Sequence, residues 1–423
     1  MREIIQIQIG GCGNRIGLRF WEVIASEHCL NECGKSTGRL PFRAHQANIF
    51  FDLGADKTFY PRAIFVDQDV KIYDDVAANN LGHLFRPANF VIDPANIGNN
   101  WAKGFYTEGR GLTSRCLDVV RRESERCHLV QGMQIVHSMG GATGGGMGSL
   151  LLTHLREEYP DRILSSIAIL PHFPESSSTV EPYNTVLSLK FLKEQADQCF
   201  VIDNLALDNI CTNIRGNPHA RYNQKNNMVS VAMSGFTTHL RFPGPLNSDM
   251  RTFVTNMVPF RGLHFFVPGF VSFGYKNWTF PELAQKTFTP ETDLGTYDVN
   301  NSKHIAAAAI FRGPMSTNEL LQEISNIEKL HRHRFTNAIP EGVRGVMCPS
   351  TIKGFPKSIT TVLNTTGIQQ MLQKSHEQCR KMLQRKAFLH YYLTEGMEID
   401  QFHDSISTLE DLLYNYSLFE KEQ

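Results

Sequence analysis

The chain has 423 residues, 41% of them hydrophobic and 20% charged, with 42 basic side chains against 42 acidic ones and so no net charge. That length accommodates two or three domains with a large core, and the even charge gives no electrostatic reason to expect a nucleic-acid or anionic-membrane partner. The most apolar run, Leu263 to Phe273, is short and broken by Pro268, so no transmembrane helix is expected, and no signal-peptide pattern opens the sequence.

In chain order, Ile4 to Ile9 reads as a buried strand and Ile16 to His28 as the helix after it. Ala63 to Val66 and Met133 to Ser138 are further strands, and Ser149 to Tyr159 is a helix stopped by Pro160. Ile163 to Leu170 and Cys199 to Ile202 continue the series, and strands separated by helices predict right-handed βαβ units in a mainly parallel sheet. A helix over Tyr222 to Met233 ends before the break at Arg241-Phe-Pro-Gly-Pro245. Beyond it, Leu263 to Val267, Ala306 to Phe311 and Gly345 to Met347 are strand candidates, with a helix near Asn318 to Leu330, which suggests a second, smaller α/β domain. The last fifty residues are helical: Ile368, Met371, Leu372, Cys379, Met382 and Leu383 share one face, and Phe402, Ile406, Leu409, Leu413 and Tyr416 another. Both stripes are expected to pack on the body, leaving their outer faces for partners.

Nine cysteines at irregular spacing fit reduced thiols in the cytosol better than a disulfide framework. Cys29 and Cys33 with His28 and His45 form a candidate metal cluster, but no second CxxC and no HExxH completes it. His331-Arg-His-Arg334 reads as a solvated basic surface.

Two glycine-rich segments carry the chemistry. His137-Ser-Met-Gly-Gly-Ala-Thr-Gly-Gly-Gly-Met-Gly-Ser149 lies between a strand and a helix, and its glycines let successive backbone N–H groups converge. The following helix directs its positive end at the loop, which makes an anion site suited to a di- or triphosphate. No Gly-Lys-Ser/Thr is present, so this is not a P-loop. Gly10-Gly-Cys-Gly-Asn14, with Gly17, is a second such loop after the opening strand. It also raises a dinucleotide-binding oxidoreductase holding NAD or FAD, but the spacing is GxGxxxG, and Asp52 lies too far along to be the ribose acid.

Met1-Arg-Glu-Ile4, Phe20-Trp-Glu-Val23, Phe85-Arg-Pro-Ala-Asn-Phe90, Gly98-Asn-Asn-Trp-Ala-Lys-Gly104, Tyr106-Thr-Glu-Gly109, Arg156-Glu-Glu-Tyr-Pro-Asp-Arg162, Glu181-Pro-Tyr-Asn184 and Arg385-Lys-Ala-Phe-Leu-His390 all resemble the tubulin family. The match runs in order along nearly the whole chain, and Met1-Arg-Glu-Ile4 is similar to the β type. The resemblance implies a Rossmann-like GTPase domain with a mainly parallel α/β sheet over 1–204, a connecting segment with a central helix over 205–241, an intermediate α/β domain over 242–367 and a C-terminal helical region over 368–423. It also implies GTP or GDP with Mg2+, and head-to-tail pairing with an α-type tubulin in microtubules of the cytoplasmic cytoskeleton. The same resemblance implies microtubule-associated proteins as further partners, and a ciliary or other specialised array as an option.

By position, the resemblance assigns the inner phosphates to the N–H groups of Gly11 and Cys12. The γ-phosphate falls to those of Ala142, Thr143 and Gly144 with Gly98 and Asn99. Asp67 and Asp69 stand near the magnesium and its waters, Ser138 by the α-phosphate and Glu181 by the ribose. Asn14, Asn204 and Asn226 read the guanine edge, and Tyr222 stacks on the base.

The departures are as telling. Gly11 replaces a glutamine that would reach the phosphate–magnesium region, Arg15 a glutamine near the base, Ala142 a glycine and Ser177 an acid near the ribose. Thr252, in Gly244-Pro-Leu-Asn-Ser-Asp249-Met-Arg-Thr252, stands where α chains supply the glutamate that positions water for a neighbour's nucleotide, with Asp249 the nearest remaining acid. The expectation is an assembly-dependent GTPase whose own nucleotide is hydrolysed only when a neighbour completes the site, and which does not activate hydrolysis on the neighbour it caps. Gly269 to Glu282 is shorter than the family's lateral-contact loop, with Tyr275 and Trp278 either an aromatic contact or folded inward. The sequence ends at Glu420-Lys-Glu-Gln423 without an acidic tail. These features also suit a specialised or capping subunit outside the ordinary lattice.

Overall fold

The computed structural model describes residues 2–38, 46–94, 97–172, 178–214, 216, 220–242, 249–273, 278–336 and 342–420. Ile4, Ile5, Ile7 and Ile9 have no exposed surface, so β1 (Glu3–Ile9) is covered on both faces and carries none of the alternation of a half-solvated strand. It pairs in parallel with β4 (Ala63–Asp67) on one side and β6 (Val130–Ser138) on the other. β5 (Phe90–Ile92), β7 (Ile163–Leu170) and β8 (Gln198–Asp203) extend this parallel half, while β2 (Phe51–Leu53) and β3 (Phe59–Pro61) form a separate hairpin.

The second half is mixed. β9 (Phe265–Phe270) and β10 (His304–Arg312) each run antiparallel to β12 (Ser358–Thr365), and β11 (Val343–Cys348) lies parallel to β10. The halves share one sheet in the order β11-β10-β12-β9-β8-β7-β6-β1-β4-β5. Their seam is narrow, with only Cys199 against Phe265 and Phe200 against Phe266 in register. Leu294 reinforces it: its N–H donates to the Pro268 carbonyl and its carbonyl accepts from the Asp203 N–H, both at 2.8 Å.

The helices are α1 (Gly10–Glu27), α2 (Lys71–Ala77), α3 (Glu108–Glu125), α4 (Gly148–Glu158), α5 (Glu181–Gln195), α6 (Asn204–Asn213), α7 (Tyr222–Arg241), α8 (Met250–Met257), α9 (Phe280–Gln285), α10 (Thr317–His331), α11 (Ile368–Gln384), α12 (Leu389–Leu393) and α13 (Ile399–Glu420). The connecting α7 is buried along most of its length and packs against α1, where the Ser230 hydroxyl donates to the Ile16 carbonyl at 2.9 Å. The C-terminal stripes face inward as expected, with Ile368, Met371, Leu372, Cys379, Phe402, Ile406, Leu409 and Tyr416 buried and Met382, Leu383 and Leu413 packed at their margins. No helix among the described residues is long and apolar enough to cross a membrane.

A charged cluster with no access to solvent joins the halves. Glu27, at the end of α1, accepts from Arg241 at 2.7 Å and Arg312 at 3.1 Å, and from the Ser234 hydroxyl at 2.5 Å. Burial alone raises the Glu27 pKa, but the two guanidiniums outweigh it and hold the carboxyl at about 2. The basic stretch His331-Arg-His-Arg334 is exposed at Arg332 and His333, but His331 is not on a solvated surface. It is 5% exposed, its ring lies 5.1 Å from that of Phe288, and burial lowers its pKa to about 4. The α10 face that carries Leu320 and Ile327 into the core brings His331 in with it. His28 is also buried, stacked on Phe242 at 4.8 Å, while Cys33 is exposed and His45 lies outside the described residues. Among the described residues no three metal-ligating side chains converge.

Candidate functional site

The carboxyl ends of β1, β4 and β6 meet at one edge of the parallel half, the place where open α/β sheets present ligand-binding loops. The first glycine segment is tighter than the sequence suggests. No loop intervenes, because Gly10, at φ +72°, turns the chain from β1 straight into α1. Gly13 lets α1 lie on β6, since a Cβ there would fall 2.1 Å from the Val136 carbonyl oxygen. The N-terminus of α1 has no side-chain cap and no acidic residue in its first turn, so the N–H groups of Gly11 and Cys12 point outward uncompensated. The space beside Gly11 is open, with no atom within 4 Å of where a Cβ would stand. Cys12 packs its side chain inward, and burial raises its thiol to about 12, so its N–H is what it offers a ligand.

The second segment leaves β6 at Ser138 and forms a wide π-helical turn over Ala142–Met147 before α4. Its glycines are places of close approach: a Cβ on Gly144 would lie 2.7 Å from the Ser138 carbonyl oxygen, and one on Gly146 2.2 Å from that of Trp101. Ala142 does not have a positive φ, so the alanine is accommodated, and its N–H donates to Asn99 Oδ1 at 3.2 Å. Gly98 and Asn99 both take left-handed backbone conformations, at φ +56° and +58°. The two segments touch: the Cβ position of Gly10 lies 3.4 Å from Gly144 N and 3.5 Å from Thr143 Cβ. Gly11, Cys12, Gly98, Asn99, Ser138, Ala142, Thr143 and Gly144 therefore cluster around one strand end.

Asp67 closes β4 nearly buried. Its Oδ1 accepts from the Gln68 N–H at 2.8 Å and the Asp69 N–H at 3.3 Å, and its Oδ2 from Asn14 Nδ2 at 2.9 Å. Burial raises its pKa in spite of these bonds. Asp69 is more open and accepts from the Lys71 N–H at 3.0 Å. Neighbouring carboxylates, one buried and one exposed, suit a hard cation that keeps much of its water. Asn14 departs from its expected role. It is fully buried, and its Nδ2 is committed to Asp67 and the Val66 carbonyl, because α1 lays that face against β4. Only its Oδ1, buried and without a partner among the described residues, is left for a ligand. Arg15 turns away to Asp75 at 2.9 Å.

Glu181 opens α5, and its Cγ and Cδ lie 3.2 and 3.3 Å from the Cβ position of Gly140, which places it against the second glycine segment. Asn204 opens α6, and Tyr222, 69% exposed, opens α7 with Asn226 nearly buried one turn on. Lys225 holds α7 to Asp208 of α6 at 2.5 Å, and its Nζ lies 5.3 Å from the centre of the Tyr222 ring. Ser177 lies outside the described residues.

Two residues that sequence reasoning passed over complete the frame. Asn184 Nδ2 donates to the carbonyls of Asn99 and Gly140 at 2.9 and 2.8 Å, while its Oδ1 accepts from Tyr392 at 2.7 Å, tying the Gly98–Asn99 turn and the second glycine segment to the C-terminal layer. The other is Gln68, whose Oε1 accepts from the Thr143 hydroxyl at 3.3 Å. Asn184 stood inside the Glu181-Pro-Tyr-Asn184 match; for Gln68 the only signal was an amide between two acids at a strand end.

On the opposite face, Asp249 is not a free acid. It caps α8 by accepting from the Thr252 N–H at 2.7 Å and is paired with Arg2. Its position at the N-cap explains this, since a carboxylate there satisfies an orphan N–H and favours the positive helix end. Thr252 is exposed, and Gly244 to Ser248 lie outside the described residues. Tyr275 does too, but Trp278 resolves its alternative by packing inward on the Phe280 and Leu283 cluster.

Open N–H groups, two carboxylates and buried orphan polar atoms at a parallel strand end define a nucleotide-binding α/β protein. The model of the Tubulin/FtsZ family GTPase domain matches residues 3–212, and that of the Tubulin C-terminal domain matches 263–377. The chain is similar to the tubulin beta-1 chains of Mus musculus and Homo sapiens, each 42% identical over 426 aligned residues that cover 99% of this chain and 94% of the relative. The chain belongs to the tubulin family, as a GTP-binding subunit of the cytoskeleton. That membership leaves the dinucleotide reading without support.

Proposed function

We propose that this chain binds GTP with a hydrated Mg2+, pairs head-to-tail with an α-type tubulin, and has its nucleotide hydrolysed only when the next subunit docks. The carrying observation is the contrast between its two ends. One gathers the N–H groups and carboxylates of a nucleotide site, and the other offers Thr252 and a capped, paired Asp249 where a neighbour's nucleotide would meet a free carboxylate. Gly11, Cys12, Thr143 and Gly144 hold the phosphates through backbone N–H groups, and Asp67 and Asp69 take the cation's waters. Asn204, Asn226 and the Asn14 carbonyl face the base, with Tyr222 stacking on it. Mg2+ supplies charge neutralisation at the phosphates. Thr252 neither accepts a proton nor orients water as a carboxylate does, so this chain leaves the nucleotide it covers unhydrolysed. The intermediate domain over 242–367 and a cytoplasmic microtubule location, ciliary arrays included, belong to the same reading, as do microtubule-associated partners.

The test mixes the purified chain with α-tubulin and GTP, follows heterodimers by sedimentation and filaments by microscopy. Heterodimers, incorporation along filaments and GTP turnover only on assembly are expected; no heterodimer defeats the proposal. The inward packing of Trp278 favours a second reading, a capping subunit, which predicts incorporation at filament ends alone.

A further inference from the structure

Gln68 is 6% exposed, and its Nε2 is a buried donor with no partner among the described residues. A buried amide left without an acceptor is costly, so such atoms are normally satisfied by something. Among the described residues no acceptor bonds to it. Thr143 directs its hydroxyl to the Gln68 carbonyl, and Asp67 accepts from the backbone N–H groups of Gln68 and Asp69 and from Asn14. Gly10 against Thr143 and Gly144 brings the first glycine segment to the same corner, and beside Gly11 the space is open. Gln68 Nε2, buried and unanswered beside the Asp67 carboxylate, is complementary to an anion whose charge a cation at Asp67 and Asp69 would offset. At Gly11 the chain lacks a side chain that would otherwise project into that space.

We propose that Gln68 is a nucleotide-binding residue, its amide donating to an oxygen of the terminal phosphate of the triphosphate, in place of a side chain absent at Gly11. This rests on the GTP reading above and deepens it, because it makes one side chain discriminate the triphosphate from the diphosphate. Thr143 orients the amide through its hydroxyl, so the same contact transmits the presence of the terminal phosphate to the turn over Ala142–Met147. A diphosphate leaves Gln68 Nε2 without its acceptor and draws nothing from it.

The test is equilibrium titration of the nucleotide-stripped, full-length chain with GTP and with GDP, for the unaltered protein, Q68L, Q68M and Q68L combined with G11Q. Hydrogen bonds to charged groups are worth enough that Q68L and Q68M should each weaken GTP roughly tenfold or more, with GDP within about twofold of the unaltered chain. Two apolar replacements of different shape guard against one that fails to fold. G11Q, entering open space, should restore part of the GTP preference to Q68L, which a purely structural role for Gln68 would not allow. Equal weakening of both nucleotides, or none, overturns the assignment and leaves guanine-nucleotide binding intact. Failure of the unaltered chain to bind either nucleotide overturns both readings.

Discussion

The strand ends at the glycine segments and the junction of α1, α7 and β10 hold the same chain together by opposite means. At the first, backbone approaches backbone wherever a Cβ would collide, as at Gly13 and Gly146, and polar atoms on Asn14 and Gln68 stay unanswered. At the second, Glu27, Arg241 and Arg312 are buried beyond solvent and bonded to one another and to Ser234. The strand ends keep open space and unanswered polar atoms for a ligand, whereas the junction uses its charges internally, although Arg241 Nε and Arg312 Nη2 find no partner among the described residues. Stability should therefore reside in the junction, and ligand response at the strand ends.

The largest effect should come from breaking the junction. Glu27→Gln leaves two buried guanidiniums facing an amide, and urea unfolding should show a loss of about 3–5 kcal/mol. A loss near zero would mean that the cluster is not the fastening described here. Next comes the glycine edge, where Gly13→Ala pushes a Cβ toward a carbonyl oxygen and should cost roughly 1–3 kcal/mol. Gly11→Ala, entering open space on the same helix, should be neutral or slightly stabilising by the same measurement.

A smaller effect is read through pH. Burial raises Asp293, bonded to Tyr297 at 2.8 Å and within the field of Arg334, to about 7. The folded chain then holds a proton that the unfolded chain releases between about pH 4 and 7, so this group lowers stability as pH rises through that window. Asp293→Asn should gain roughly 1–3 kcal/mol at pH 8 relative to the unaltered chain and little at pH 4. His137, His239 and His264 act with the opposite sign. Burial lowers each to about 4, so the folded form resists their protonation and stability falls as pH drops below about 6.5. Thermal melts across pH 4–8 would resolve both slopes. Smallest of all, Arg15→Ala removes an exposed pair with Asp75 and should shift stability by no more than about 0.5 kcal/mol.

Much of this was legible in the residues. Ile163 to Leu170 was expected as a strand and is one with those bounds, because a fully buried parallel strand is written as an unbroken apolar run. β12 was missed, since Ser358, Thr360, Thr361, Asn364 and Thr365 disguise a strand that lies wholly inside the sheet. α3 was missed for the converse reason: its charged surface and Gly109 and Gly111 hide the stripe of Leu112, Cys116, Val119 and Val120. At the site, glycine marked the close approaches, because only geometry explains so many glycines between a strand and a helix. Direction was not legible. Nothing in the sequence says that Asn14 turns its amide to Asp67, that Arg15 leaves for Asp75, or that His331 points inward.

Leu294 also makes a statement about timescale. Its carbonyl, holding the Asp203 N–H, is one of the stitches across the narrow β8–β9 seam, so the Asp203 amide proton stays protected for as long as that stitch holds. Its deuterium uptake is a clock for that opening. If it runs faster than the amides inside β6 and β7, the halves separate without unfolding, and the chain carries a hinge between its nucleotide end and its mixed-sheet half.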